Sequence, residues 1–222
     1  MIDLRPGNCL EVMHDIPNGS IDAVITDPPY GMNWNTDSTR FSGGDNPEVR
    51  RGAGRNDWQP IHGDNKPFDP LPWLDFPAVI MWGSNHYANR LPIGTTLVWV
   101  KRAPLLYGSF LSDAEIGWMK GGYGVYCFEK QFPPPSRMSQ NNGKVAHPNQ
   151  KPIELMMWCI EKASKPDDTI LDPFMGSGTT GVACMRLNRN FIGIEIDPHY
   201  FAIAKRRIEE AQMQFALPMV MV

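Results

Sequence analysis

Apolar residues in this chain follow two patterns. Short unbroken runs predict strands buried on both faces, as in a parallel sheet. They are Ala23-Val24-Ile25-Thr26, Ala78-Val79-Ile80-Met81-Trp82 and Thr169-Ile170-Leu171-Asp172. A stripe at helical spacing, Ile153, Met156, Met157 and Ile160, predicts a helix from Lys151-Pro152 to about Lys162, with proline near its first turn. Ile2 to Arg5, Thr96 to Lys101 and Phe191 to Ile196 read as further strands. Helices are expected over Cys9 to Asp15, His86 to Leu91, Thr179 to Leu187 and Pro198 to Met213. Glu115 to Lys120 and Gly124 to Glu129, joined by Gly121-Gly122-Tyr123, predict a hairpin. Alternating β and α elements imply an α/β fold: a mostly parallel sheet with helices on both faces.

Two segments break the pattern. Residues 31–70 hold many glycines, prolines and polar groups without a sustained period. A loop of that length in a compact domain is expected to be a mobile lid over a site. Residues 130–146 carry Pro133-Pro134-Pro135 and Asn141-Asn142-Gly143 and read as irregular. With 222 residues and no internal repeat, one domain spanning 1–222 is expected.

Composition narrows the class. No run of 18 apolar residues exists, and the first residues lack a basic-then-apolar signal pattern, so a cytoplasmic protein is expected. Cys9, Cys127, Cys159 and Cys184 have no paired spacing, which argues against a disulfide framework or a metal site. The net charge of −3 excludes a globally basic nucleic-acid binder. The one basic stretch is 120–151, where Lys120, Lys130, Arg137, Lys144 and Lys151 face Glu129 alone, a composition suited to tracking phosphates or to a solvated loop.

Two motifs carry chemistry. Asp27-Pro28-Pro29-Tyr30 closes the first apolar run. Each proline fixes its own φ and holds the residue before it extended, so the Asp27 carboxylate, the Pro28 carbonyl and the Tyr30 ring form a stiff corner. Two acceptors beside a π surface suit a planar group bearing an amine, such as a nucleobase. Asp172-Pro173-Phe174-Met175-Gly176-Ser177-Gly178-Thr179-Thr180-Gly181 lies between strand and helix and spells G-x-G-x-x-G, with Glu195 about 20 residues on. Glycines admit a ligand to the backbone, a helix N-terminus offers N–H groups, and Glu195 can take both hydroxyls of a ribose.

Together these motifs resemble the amino-group DNA methyltransferases that use S-adenosylmethionine, in the order of their circularly permuted β group. His147-Pro148-Asn149-Gln150-Lys151-Pro152 is similar to that family's segment upstream of the cofactor loop. Phe191-Ile192-Gly193-Ile194-Glu195-Ile196-Asp197-Pro198 is similar to the strand and helix after it, and Trp82-Gly83-x-Asn85-His86-Tyr87 is similar to small phage-type members.

The resemblance implies a Rossmann-like, seven-stranded, mostly parallel sheet with one reversed hairpin strand. It implies double-stranded DNA as substrate and S-adenosylmethionine as cofactor. Asp27, Pro28, Pro29 and Tyr30 would be catalytic, with the flipped base stacked between Tyr30 and Trp118. Cofactor positions would be Asn8, Cys9, Asp27, Lys151, Pro152, Asp172, Pro173, Phe174, Gly176, Ser177, Gly178, Thr179, Thr180, Glu195 and Ile196. Asn8 stands where the family often has an acid for the adenine amine; its carbonyl can still accept that bond. Lys101 is left outside the site. Asp as the first residue of the tetrapeptide favours adenine N6 over cytosine N4. A nicotinamide oxidoreductase also fits the glycine loop, but it leaves Asp27-Pro28-Pro29-Tyr30 unexplained. The short 130–146 segment, as the target-recognition region, suggests a homodimer or a short recognition site.

Overall fold

The computed structural model describes residues 1–34, 60–108, 112–141, 143 and 145–216. The chain packs as two compact units, 1–28 with 69–222, and 29–68. Much of the expected lid, residues 35–59, lies outside the described residues. Within the smaller unit, the Asp64 carboxylate accepts hydrogen bonds from the backbone N–H of Gly31, Met32 and Trp34, at 2.9, 3.3 and 2.6 Å, so one buried side chain ties the two ends of that unit together.

In the larger unit the strands are β1 (Ile2–Pro6), β2 (Ala23–Thr26), β3 (Ala78–Trp82), β4 (Gly94–Val100), β5 (Ala114–Glu129), β6 (Thr169–Asp172) and β7 (Asn190–Glu195). The helices are α1 (Cys9–Val12), α2 (Pro134–Ser139), α3 (Ile153–Ala163), α4 (Thr179–Arg186) and α5 (Pro198–Ala216). The sheet order is β1-β7-β6-β2-β3-β5-β4. β1, β7, β6, β2 and β3 run parallel, whereas β3 and the first arm of β5 are antiparallel.

Strand order runs forward from β2 and backward from β6, so the topological switch point lies between these two strands. Open α/β sheets bind ligands at the carboxyl edge beside such a point. Three of the five parallel strands that end there finish on or just before an acid: Asp27 after β2, Asp172 on β6 and Glu195 on β7.

The central strands β2 and β3 are dry on both faces. Ala23 and Ile25 join α3 residues in the main core, and the alternate positions Val24, Val79 and Met81 are also fully buried. Helix α3 buries Ile153, Leu155, Met156, Cys159 and Ile160, a wider face than the four-residue stripe suggested. It packs on α4, and α4 on α5, forming one helical layer.

Three expectations are corrected. Residues 83–91 form two short 3₁₀ turns, Ser84–His86 and Ala88–Arg90, and no α-helix. The arms of β5 are not a simple hairpin. Thr96 to Val100 of β4 pair antiparallel with Trp118 to Ala114 and parallel with Val125 to Glu129. The same β4 residues serve both arms, so the arms lie on opposite edges of β4. Residues 130–146 contain helix α2, which Pro134 and Pro135 open at positions where the missing N–H has no cost.

Candidate active site

The carboxyl edge of the sheet gathers the chemistry. Asp172 is 3% exposed and is bonded on both oxygens: Thr26 Oγ1 donates at 2.6 Å, Thr180 Oγ1 at 2.6 Å and the Phe174 N–H at 3.2 Å. Thr26 directly precedes Asp27, and Thr180 lies in the first turn of α4. One carboxylate therefore fastens the end of β2 to the glycine loop. Burial, opposed by those donors and aided by the Asp27 charge, raises the Asp172 pKa to about 6.

This yields a pH prediction. Folded Asp172 keeps its proton up to about pH 6, against a reference value of 3.8. The native state binds the extra proton in that window. Its contribution to stability is full below the lower value and is lost as pH rises through the upper one, by roughly 3 kcal/mol. Thermal unfolding of the parent and Asp172→Asn should show the parent losing ground to the variant from about pH 4 to 7. A pH-independent difference in Tm would contradict this.

Glu195 ends β7 with its carboxylate held by two backbone donors, Gly176 N–H and Asp197 N–H, each at 2.8 Å. Burial outweighs these bonds and raises its pKa. The Gly7 N–H donates to the Glu195 carbonyl at 2.9 Å, which places the turn bearing Asn8 and Cys9 beside it. Asn8 is the N-cap of α1: its carbonyl accepts from the Leu10 N–H at 3.0 Å. Cys9 is buried, and burial pushes its thiol up to about 11. Phe174 is half-buried, with Trp73 edge-on at 5.6 Å between centroids. Ile196 stays 48% exposed next to Glu195, an apolar surface left open at the strand end.

The three glycines have different tasks. A Cβ at Gly178, where φ is +77°, would come within 2.9 Å of Ala204, and one at Gly181 within 2.4 Å of Ile208. Both serve the packing of α4 against α5. Only at Gly176 is the space open, with the His147 ring 3.8 Å from such an atom. Ser177, Thr179 and Thr180 are buried; the Ser177 carbonyl accepts from Arg207 Nη1 and the Thr180 hydroxyl serves Asp172. Pro173 is buried in the loop and Pro152 is the N-cap of α3. His147 packs edge-on to Tyr200 at 4.4 Å, and its Nδ1 accepts from the Asn149 N–H. Burial and the Lys151 charge bring its pKa down to about 3, so the ring is neutral.

Lys151 points at Asp27. Its Nζ lies 2.5 Å from Asp27 Oδ2 and 3.0 Å from Glu115 Oε2, and Glu115 Oε1 meets Lys101 Nζ at 2.8 Å. The sequence pattern singles out neither Glu115 nor Lys101 as part of the site. The signal was an acid opening a strand otherwise rich in apolar residues, but its partners are up to 36 positions away. Pro28 is buried behind Asp27; Pro29 and Tyr30 open the smaller unit.

Trp118 does not reach this edge. It is 6% exposed, its ring lies against Gly94, and its N–H donates to the Pro92 carbonyl at 3.0 Å, at the amino end of β4. It fills core, because the inward β5 arm carries it away from Glu115 by three residues. The basic stretch is also largely spent internally: Lys120 bonds the Phe76 carbonyl, Lys130 pairs with Glu154, and Arg137 donates to the Phe132 and Pro148 carbonyls. Lys144 lies outside the described residues. Among the described residues no group of three or more His, Cys, Asp or Glu is placed to hold a metal ion.

A seven-stranded open sheet with these groups around its switch point has the architecture of a class I methyltransferase. A model of the DNA methylase family matches residues 58–206, and the chain belongs to that family, the N6/N4 DNA methyltransferases, whose methyl donor is S-adenosylmethionine. The type II methyltransferase M.HinfI of Haemophilus influenzae is 29% identical, over 92% of this chain and 67% of its own length. M2.MboI of Moraxella bovis is also 29% identical, over 94% of this chain and 88% of its own. The crystal structure of the M1.HpyAVI–SAM complex superposes with a TM-score of 0.60 at 25% identity, covering 93% of this chain and all of that one.

The residues fit the cofactor. A carboxylate fixed by backbone donors, a half-exposed aromatic ring and one unobstructed glycine stand together at the strand ends.

Proposed function

We propose that the chain methylates the N6 amine of adenine in double-stranded DNA. The observation that carries methylation of a base amine is Asp27 at the switch point, bonded to Lys151, with Pro28 next to it; the aspartate at the head of the tetrapeptide is what favours adenine. An adenine amine is a poor nucleophile because its lone pair is delocalised into the ring. Asp27 and the Pro28 carbonyl accept its two N–H groups and draw the nitrogen toward tetrahedral geometry. That localises the pair and aims it. Bound S-adenosylmethionine supplies a methyl group on a cationic sulfur. The N–C bond would form as the methyl–sulfur bond breaks, with a neutral thioether as the leaving group, and Asp27 is the acceptor for the departing amine proton.

In this reading Glu195, with Asn8 and Cys9 beside it, holds the ribose and adenine end of the cofactor. Phe174 and Ile196 flank the adenine, and the Gly176 backbone admits the methionine portion. The target base is flipped out of the duplex, since the amine of a paired base stays inside the helix and cannot be presented to Asp27 and Pro28. Residues 130–146 take part in target recognition; their shortness favours a homodimer or a short site. The bacterial type II relatives support action in the cytoplasm, alone or beside a restriction nuclease.

Cytosine N4 presents the same two donors and is the second reading. Incubation with S-adenosylmethionine and unmethylated phage DNA, followed by nucleoside mass spectrometry, decides between them. N6-methyladenine is the expected product. N4-methylcytosine would overturn the base assignment and leave the corner's chemistry intact.

A further inference from the structure

Four side chains of alternating charge form a line that ends on Asp27. Lys101 follows β4, Glu115 lies near the start of β5, Lys151 precedes α3 and Asp27 follows β2. Each carboxylate oxygen of Glu115 meets a different lysine, and Lys151 is shared between two carboxylates. Lys151 is 6% exposed. Burial opposes its charge, but Asp27 and Glu115 outweigh that and raise its pKa. Burial likewise opposes the charge of Glu115, yet Lys151 and Lys101 bring its pKa down to about 2. Glu115 and Lys151 are thus both held in their charged forms, and along the line two acids face two lysines.

We propose that Lys151 and Glu115 are positioning residues for methyl transfer: Lys151 fixes the orientation and ionisation of the Asp27 carboxylate, and Glu115 draws off part of the lysine's charge so that Asp27 remains a strong acceptor. The proposal rests on Asp27 as the group that receives the amine.

The two residues act on Asp27 with opposite sign. Without Lys151, Asp27 loses its cation and shares a low-dielectric site with Glu115, which keeps Lys101 as its one remaining partner in the line, so Asp27 holds its proton to higher pH. Without the charge of Glu115, the whole lysine charge falls on Asp27, which ionises more readily but accepts an amine hydrogen bond less well. The other groups facing the line are common to both variants: Asp172 and Tyr87 toward Asp27, Arg137 toward Glu115 and His147 toward Lys151.

The test uses the full chain as parent, Glu115→Gln and Lys151→Met. One readout is the ¹³C titration of the Asp27 carboxyl without cofactor, assigned by its disappearance in Asp27→Asn. The other is the single-turnover methylation rate with S-adenosylmethionine affinity measured alongside. The Asp27 midpoint should move up by about one pH unit in Lys151→Met and down in Glu115→Gln. Transfer should slow roughly 10- to 100-fold in both, with a smaller change in cofactor affinity. Midpoints that coincide with the parent's would overturn the proposal. So would a Lys151→Met defect that lies wholly in cofactor affinity, which would make the lysine a cofactor contact. If Lys151→Met does not fold, the isosteric Glu115→Gln decides alone: a parental midpoint and rate would end the idea. Failure of the functional reading looks different, because the parent itself would then leave DNA unmethylated while the titration still reports on Asp27.

Discussion

Asp27→Ala is expected to slow methyl transfer by about 10²- to 10³-fold in single turnover while leaving S-adenosylmethionine affinity largely unchanged. The size follows from what the carboxylate does. In the proposed reaction it is a fixed charge aimed at a nitrogen that becomes positive as the methyl arrives, in a site where the solvent is partly excluded. Water at the same place would have to reorganise during the reaction; a carboxylate locked by Lys151 at 2.5 Å does not. Cofactor affinity survives because the groups proposed to hold it, Glu195 and Phe174, are fixed by the Gly176 and Asp197 N–H groups and by Trp73, none of which depends on Asp27. The fold should survive as well: Lys151 keeps Glu115 as a partner at 3.0 Å, so no buried charge is stranded. Asp27→Asn is the sharper control, retaining an acceptor oxygen without the charge. A rate for Asp27→Ala within about tenfold of the parent would show that the Pro28 carbonyl and base placement carry the reaction.

The frame of the site was legible in the sequence for a specific reason. Buried parallel strands appear as unbroken apolar runs, and acids at their ends mark the edge where chain and solvent meet. Asp27, Asp172 and Glu195 all stood out that way, and the structure brings them to one edge. What local pattern cannot carry is pairing at a distance. Gly121-Gly122-Tyr123 suggests a tight hairpin, whereas β4 inserts between the two arms, a pairing at a distance that the turn residues do not encode. The same blindness hid Glu115. Its role is conferred by Lys151 and Lys101, which come from separate elements, so no spacing rule reaches it. Trp118 misled because an aromatic on a strand looks alike whether it faces a ligand or a glycine, and here the space over Gly94 claims the ring. The fingerprint glycines were read as one unit, yet two of the three answer to helix packing.

Glu195→Ala is expected to weaken S-adenosylmethionine binding by about 10²-fold or more, with transfer at saturating cofactor close to the parent's. Two charge-assisted hydrogen bonds to ribose hydroxyls account for an effect of that order, at roughly 1.5–3 kcal/mol each. A further loss comes from the protein itself. The carboxylate binds the Gly176 and Asp197 N–H groups, so its removal releases the loop at the one glycine with room for a ligand. Glu195→Gln separates the two contributions. Its carbonyl oxygen can keep one backbone donor and its amide can serve a single hydroxyl, so it should fall between parent and alanine. Titration calorimetry of the three proteins measures the affinities, and single-turnover rates at saturation measure the chemistry. If alanine reduced the saturated rate as strongly as Asp27→Ala does while binding stayed intact, Glu195 would belong with the reacting amine. The cofactor would then have to lie over β6 and β2, at the switch point itself, instead of across β7.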